Sequence, residues 1–132
     1  MKSIKYSRQR EAILNFLKTR KDHPTAETIY SNIREIYPNL SIGTVYRNLN
    51  LLSENGEILK ISLEDDSAHF DGFTQPHCHF FCKKCKTLSD IEISRSNMAS
   101  IEKFTKENFD GEIHLYSSVF YGLCKKCIEN DI

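Results

Sequence analysis

The stretch Ser41–Phe73, SIGTVYRNLNLLSENGEILKISLEDDSAHFDGF, decides the fold. Ser41 is a helix-capping residue, Val45, Leu49 and Leu52 recur at helical spacing, and Gly56 stands where a C-terminal cap belongs. Two strand-like runs follow, Glu57–Leu63 and Ala68–Phe73, joined by the polar turn Glu64-Asp65-Asp66-Ser67, and they predict a hairpin. Working upstream, Ser7 caps a helix with Ala12, Ile13, Phe16 and Leu17 on one face. His23-Pro24-Thr25 breaks the chain and caps a second helix with Ile29, Ile33 and Ile36 at helical spacing, and Pro38-Asn39 stops it. Three helices and then a hairpin is the pattern of a winged helix-turn-helix, whose third helix enters the major groove of DNA.

Downstream the character changes. Gln75-Pro76 reads as a short hinge, His77–Phe81 and Leu88–Ile93 as strands, and Asn97–Phe109 as a helix with Met98, Ile101 and Phe104 on one face. Asp110-Gly111 is a turn signal, and Ile113–Leu123 is strand again. The predicted class is α+β: an N-terminal winged helix-turn-helix over residues 1–73, followed by a small α+β dimerisation domain over 74–132. The second domain has few apolar faces, so a structural metal and a partner chain are expected to supply what its core lacks.

Net charge is zero, but it is unevenly spread. Residues 1–50 hold nine Lys/Arg against four Asp/Glu, and residues 51–132 hold nine against fourteen. A basic N-terminal half is the electrostatic footprint of a nucleic-acid binder. The apolar runs are too short to span a bilayer, and Met1–Tyr6 lacks the apolar stretch of a secretion signal. A cytoplasmic protein with no membrane association is expected.

Four of the five cysteines form two pairs, Cys82-Lys83-Lys84-Cys85 and Cys124-Lys125-Lys126-Cys127. Two residues between cysteines let both sulfurs of a pair reach one ion, and two pairs complete a tetrahedral shell around Zn²⁺. The 38 residues between Cys85 and Cys124 mean that such a zinc staples the start of the domain to its end. Redox-active pairs are the competing reading, and a thiol oxidoreductase would follow from it. Cys78 is the alternate residue between His77 and His79, points away from them on a strand, and reads as a bystander thiol.

His77 and His79 share one face of their strand, a common way to grip a metal. Asp71, Asp90 and the distant His23 could join them in a mixed nitrogen and oxygen shell suited to Fe²⁺ or Mn²⁺. Spacing favours a metal for the histidine pair; for His23, Asp71 and Asp90 it leaves ligand and ordinary polar roles equally open. His69 and His114 have no comparable neighbours and are not expected to be ligands.

With these residues in view, the chain resembles the ferric-uptake-regulator superfamily, and within it the peroxide-sensing branch. The resemblance is carried by Ser7-Arg8-Gln9-Arg10, His23-Pro24-Thr25-Ala26, Ser41 through Leu49, Phe70-Asp71, His77-Cys78-His79, Cys82 to Cys85 with Asp90, and Tyr121-Gly122-Leu123-Cys124 to Cys127. It implies a homodimeric repressor that binds a double-stranded DNA operator, with structural Zn²⁺ on the four cysteines. It also implies a regulatory Fe²⁺ or Mn²⁺ on His23, Asp71, His77, His79 and Asp90. Aspartate at position 90 leans toward peroxide sensing, with His23 and His77 the oxidised ligands. Relatives usually carry a further helix before the segment matching Ser7–Arg10, which six residues precede here.

On the third helix, Thr44, Tyr46 and Arg47 are expected to approach base edges, while Lys and Arg of the first three helices meet phosphates. A buried core tyrosine is the competing reading for Tyr46. An iron- or zinc-responsive uptake repressor is the nearest alternative function. A metalloenzyme using His77, His79 and Asp90 is a remoter one, since no general base or substrate-pocket motif accompanies them; an enzyme is not expected.

Overall fold

Hydroxyl side chains start the three N-terminal helices. In α1 (Arg8–Lys18) Ser7 Oγ accepts the Arg10 N–H, in α2 (Ala26–Ile33) Thr25 Oγ1 accepts the Thr28 N–H, and in α3 (Ile42–Glu54) Ser41 Oγ accepts the Thr44 N–H. Each bond satisfies one of the orphan donors of a first turn. The end of α3 is equally well defined. Gly56 takes the left-handed conformation at φ 75°, the Glu57 N–H reaches the Leu52 carbonyl, and the Gly56 N–H reaches that of Ser53. This is a Schellman motif, in which glycine is the residue that adopts the required φ without steric cost.

The computed structural model describes residues 7–75, 77–113, 116 and 118–130, and the chain divides into two units, Met1–Thr74 and Gln75–Ile132. In the first unit the three helices are followed by an antiparallel hairpin of β1 (Leu59–Ser62) and β2 (Ala68–Asp71), with Leu59 opposite Asp71 and Ser62 opposite Ala68. One core unites them: Ile13 and Leu17 of α1, Ile29 and Ile33 of α2, Val45, Leu49 and Leu52 of α3, with Leu40, Ile58 and Phe70. This is the winged helix-turn-helix the sequence predicts. One position differs: α2 ends at Ile33, the turn after it returns the Tyr37 N–H to the Ile33 carbonyl, and Ile36 is 66% exposed. Leu40 fills the core instead, because the turn rotates the next apolar residue away from the helical stripe.

The second unit is a three-stranded sheet in the order β4-β3-β5, from β3 (Cys78–Cys82), β4 (Leu88–Ile91) and β5 (Ser118–Gly122). The β3–β4 pair is antiparallel and the β3–β5 pair parallel. Between β4 and β5 lies α4 (Arg95–Glu107), capped by Ser94, which starts two residues before the predicted helix. A short helix, α5 (Lys125–Glu129), follows β5 and was not expected from the sequence. The predicted strand over 113–123 is realised as Ser118–Gly122; His114 within it, and Pro76 of the predicted hinge, lie outside the described residues. Of the apolar stripe expected on α4, Met98 is buried while Ile101 and Phe104 are 40% and 62% exposed.

Gly72, just past β2, packs against the backbone of α1. A Cβ there would stand 2.8 Å from the carbonyl carbon and oxygen of Leu17 and 2.9 Å from the Lys18 nitrogen. Gly72→Ala is therefore expected to destabilise the protein by about 1–3 kcal/mol, as overpacking against rigid atoms does. Gly43→Ala, whose Cβ would meet only Ser41 Oγ at 3.9 Å, should cost nothing. Denaturant unfolding of the two variants checks this.

Candidate metal centres

The central strand β3 serves two chemistries because successive residues face opposite ways. Cys82 lies at its end, directly opposite Gly122 of β5, and Cys124 follows two residues on. The tight turn that carries Cys85 is closed by the Lys86 N–H on the Cys82 carbonyl, and Lys86 adopts φ 63°. Cys127 is brought in by α5. The four sulfurs lie within 4.8 Å of one another, with Cys85 Sγ and Cys124 Sγ 3.9 Å apart. Thiolates about 2.3 Å from a tetrahedral zinc are separated by about 3.8 Å, so the set fits that ion.

The local electrostatics favour thiolate at one corner. Cys82 Sγ receives the backbone N–H groups of Cys85 and Cys124, both at 3.5 Å, and these bring its thiol down to about 6. Cys85 is also lowered, first by the Thr87 hydroxyl 3.2 Å away. Burial pushes Cys127 up to about 12. Four sulfurs this close do not ionise together without a cation, and a divalent ion removes that conflict. Lys83, Lys84 and Lys126 are exposed around them.

On the other face of β3, His79 pairs directly with Asp90 of β4. Asp90 Oδ1 is 3.5 Å from His79 Nε2 and 3.4 Å from His77 Nε2, and the two rings are 4.3 Å apart. His77 Nδ1 lies 2.6 Å from the Gln75 carbonyl, which can only accept, so the proton sits on Nδ1. In the neutral ring Nε2 then holds a lone pair turned toward a carboxylate oxygen. An imidazole nitrogen and a carboxylate oxygen at that distance can share a proton or a metal cation, and an imidazole whose other nitrogen is tied to a carbonyl is the usual state of a metal-ligating histidine.

The first unit carries a second imidazole–carboxylate pair. His23 Nε2 is 3.2 Å from Asp71 Oδ2, with both side chains almost fully buried. Asp71 is oriented by its Oδ1, which accepts the Phe73 N–H at 2.9 Å. His23 adopts φ 51°, a left-handed conformation that costs a non-glycine residue on the order of 1 kcal/mol. The backbone around it is held by β2: the Phe70 N–H bonds the Pro24 carbonyl at 3.0 Å, and His69 Nδ1 lies 2.7 Å from the His23 carbonyl. No local signal singles out His69, because its partner is 46 residues away along the chain. Cys78 is buried, on the strand face opposite to His79.

On α3, Tyr46 is 41% exposed, not a core residue, and its hydroxyl donates to Glu27 Oε1 at 2.7 Å. That bond holds the Glu27 carboxyl below the usual carboxylate range and raises the Tyr46 phenol. Arg47 reaches Thr44 Oγ1 at 3.4 Å, and Thr44 Oγ1 lies 2.9 Å from Ser41 Oγ. Thr44, Tyr46 and Arg47 therefore lie in the first turns of α3, with Tyr46 and Arg47 on its exposed side, and Glu27 is a neighbour that spacing could not reveal.

A winged helix with a second α+β unit bearing a Cys₄ cluster and an imidazole–carboxylate cluster defines a metalloregulator. Residues 1–116 match the model of the ferric uptake regulator family, and the chain belongs to that family. It is 32% identical over 124 residues to the peroxide-responsive repressor PerR of Staphylococcus aureus, covering 94% of this chain and 82% of that protein. Among solved structures, the peroxide stress regulator of Campylobacter jejuni superposes with a TM-score of 0.79 at 29% identity, covering 90% of this chain and 88% of that one. The ferric uptake regulator of Francisella tularensis with iron superposes at 0.73 and 26% identity, covering 97% and 98%.

Cys85→Ser should abolish zinc retention and unfold the second unit, since a structural zinc site of this kind contributes about 10–16 kcal/mol of binding free energy to folding. Zinc analysis together with thermal unfolding of the purified variant checks it; a well-folded, zinc-free Cys85→Ser protein contradicts the structural assignment.

Proposed function

We propose that the protein is a homodimeric, DNA-binding transcriptional repressor of the cytoplasm that responds to peroxide through a metal held by His23, Asp71, His77, His79 and Asp90. The observation that carries this reading is the confrontation of imidazole Nε2 atoms with carboxylate oxygens in each unit, at 3.2 Å for His23 and Asp71 and at 3.4 and 3.5 Å around Asp90. Two ligands in one unit and three in the other each make an incomplete shell; together they make a neutral-imidazole, two-carboxylate set suited to Fe²⁺ or Mn²⁺. Zn²⁺ on Cys82, Cys85, Cys124 and Cys127 is structural in this scheme. The naming of a relative as a peroxide-responsive repressor supports the choice of signal.

In this reading residues 1–73 bind the operator and residues 74–132 dimerise and bind metal. Lys and Arg of the basic first half neutralise phosphates, and Thr44, Tyr46 and Arg47 approach base edges, with the Tyr46 ring suited to thymine methyls. Exposed Ile101, Phe104, Phe120 and Ile128 supply apolar surface of the kind a dimer covers. Ligands drawn from both units let occupancy of the site bias the spacing of two recognition helices. Coupling of this kind is worth about 1–3 kcal/mol, or about 5–150-fold in operator affinity. Fe²⁺ held by His23, Asp71, His77, His79 and Asp90 would supply the redox chemistry toward peroxide. His23 and His77 are the side chains assigned to take up oxygen, and an oxidised imidazole loses its lone pair for ligation and releases the coupling. No helix among the described residues is long and apolar enough to cross a membrane.

Peroxide treatment of Fe²⁺-loaded protein should add one oxygen to the peptide containing His23 or His77, read by mass spectrometry, and Mn²⁺-loaded protein should stay unmodified. Equal modification, or none, with both metals removes peroxide sensing and leaves a repressor whose signal is metal availability, as in an iron- or zinc-responsive uptake regulator. His77→Ala should remain folded with zinc bound while losing most metal-dependent affinity for its operator, measured by fluorescence anisotropy.

A further inference from the structure

Three successive residues of β2 act on His23 and Pro24, the two residues before the N-cap of α2. Asp71 Oδ2 faces His23 Nε2 at 3.2 Å, the Phe70 N–H bonds the Pro24 carbonyl at 3.0 Å, and His69 Nδ1 lies 2.7 Å from the His23 carbonyl. The first involves the ring of His23, and the other two fix its backbone. That backbone is the part under strain: His23 sits at φ 51°, where an L-residue stays only if its surroundings over-determine it. The Phe70 bond is main-chain pairing that any residue at position 70 other than proline would make. The His69 bond depends on the side chain.

We propose that His69 is a positioning residue for the regulatory metal: its ring N–H tethers the His23 carbonyl and so presets the His23 imidazole toward Asp71. A carbonyl oxygen only accepts, so His69 must donate through Nδ1. His69 is half-buried beside a fully buried His23, so the tether is shielded from competing water. It acts on the ligand's main chain and not on the His23 ring. A side chain that holds a ligand in place in this way contributes to affinity without touching the ion. The inference rests on the assignment of His23 to the regulatory site.

The test uses full-length, zinc-loaded protein titrated calorimetrically with MnCl₂, as wild type and as His69→Asn, His69→Gln, His69→Phe and His23→Ala. Asparagine sets an amide N–H near the place of Nδ1, whereas glutamine carries it further out and phenylalanine removes it. His69→Gln and His69→Phe should weaken Mn²⁺ binding by about tenfold to a hundredfold with zinc content unchanged, and His69→Asn should restore most of the affinity. If His69→Phe fails to fold, the Asn and Gln pair carries the comparison. Wild-type affinity in His69→Gln, or a loss that His69→Asn does not restore, overturns the tether while a weakened His23→Ala keeps the shared site. An unaltered His23→Ala overturns both. Long-range ¹H–¹⁵N correlation at alkaline pH should find the His69 proton on Nδ1, and a proton found on Nε2 alone would contradict the bond.

Discussion

The register of β3 is the constraint on which the second unit depends. This strand is paired on both edges, antiparallel to β4 and parallel to β5, and each pairing delivers a residue of a candidate metal site. Alignment of His79 with Asp90 brings the carboxylate beside the imidazoles, and alignment of Cys82 with Gly122 brings Cys124 to the first cysteine pair. A slip of one residue would turn every side chain of β3 to the other sheet face and dissolve both clusters at once. The sheet is small, and the large apolar side chains Phe120, Leu123 and Ile128 remain exposed, so apolar packing alone is a weak guarantor of that register. The four-sulfur cluster supplies the missing constraint by tying the end of β3 to the N-cap and the middle of α5.

In the first unit the corresponding constraint is β2. Its side chains face the core through Phe70, its main chain pins the loop that contains His23, and Asp71 at its end meets the His23 ring. Gly72 follows because no side chain fits where the chain passes the backbone of α1. One strand thus supplies both half of the wing hairpin and the carboxylate that meets His23, which gives a physical route by which the state of His23 can bear on the helices packed against the same core.

Much of this was legible in the sequence because local signals carried it. The caps Ser7, Thr25 and Ser41, the left-handed Gly56, the apolar stripes of α1 and α3 and the paired Cys-x-x-Cys spacings each act over a few residues. What escaped was of three kinds. The apolar stripe of α2 does not extend to Ile36, because a single turn of irregular chain moves it onto Leu40. Helix α5 is only five residues long, shorter than any periodic signal, and its position is set by Cys127. The roles of His69 and Glu27 depend on partners 46 and 19 residues away, which no spacing rule encodes. The five candidate regulatory ligands were nameable from the family resemblance, while composition and spacing alone supported only the pair His77 and His79.

The proposed switch is one ion bound jointly by His23 and Asp71 and by His77, His79 and Asp90. Anomalous diffraction at the manganese edge from crystals of the zinc- and manganese-loaded protein tests it most directly. One manganese peak per chain is predicted within bonding distance of Nε2 of His23, His77 and His79 together, with Asp71 and Asp90 completing its shell. A manganese peak bound by His77, His79 and Asp90 alone, with the His23 imidazole still turned only to Asp71, would contradict it.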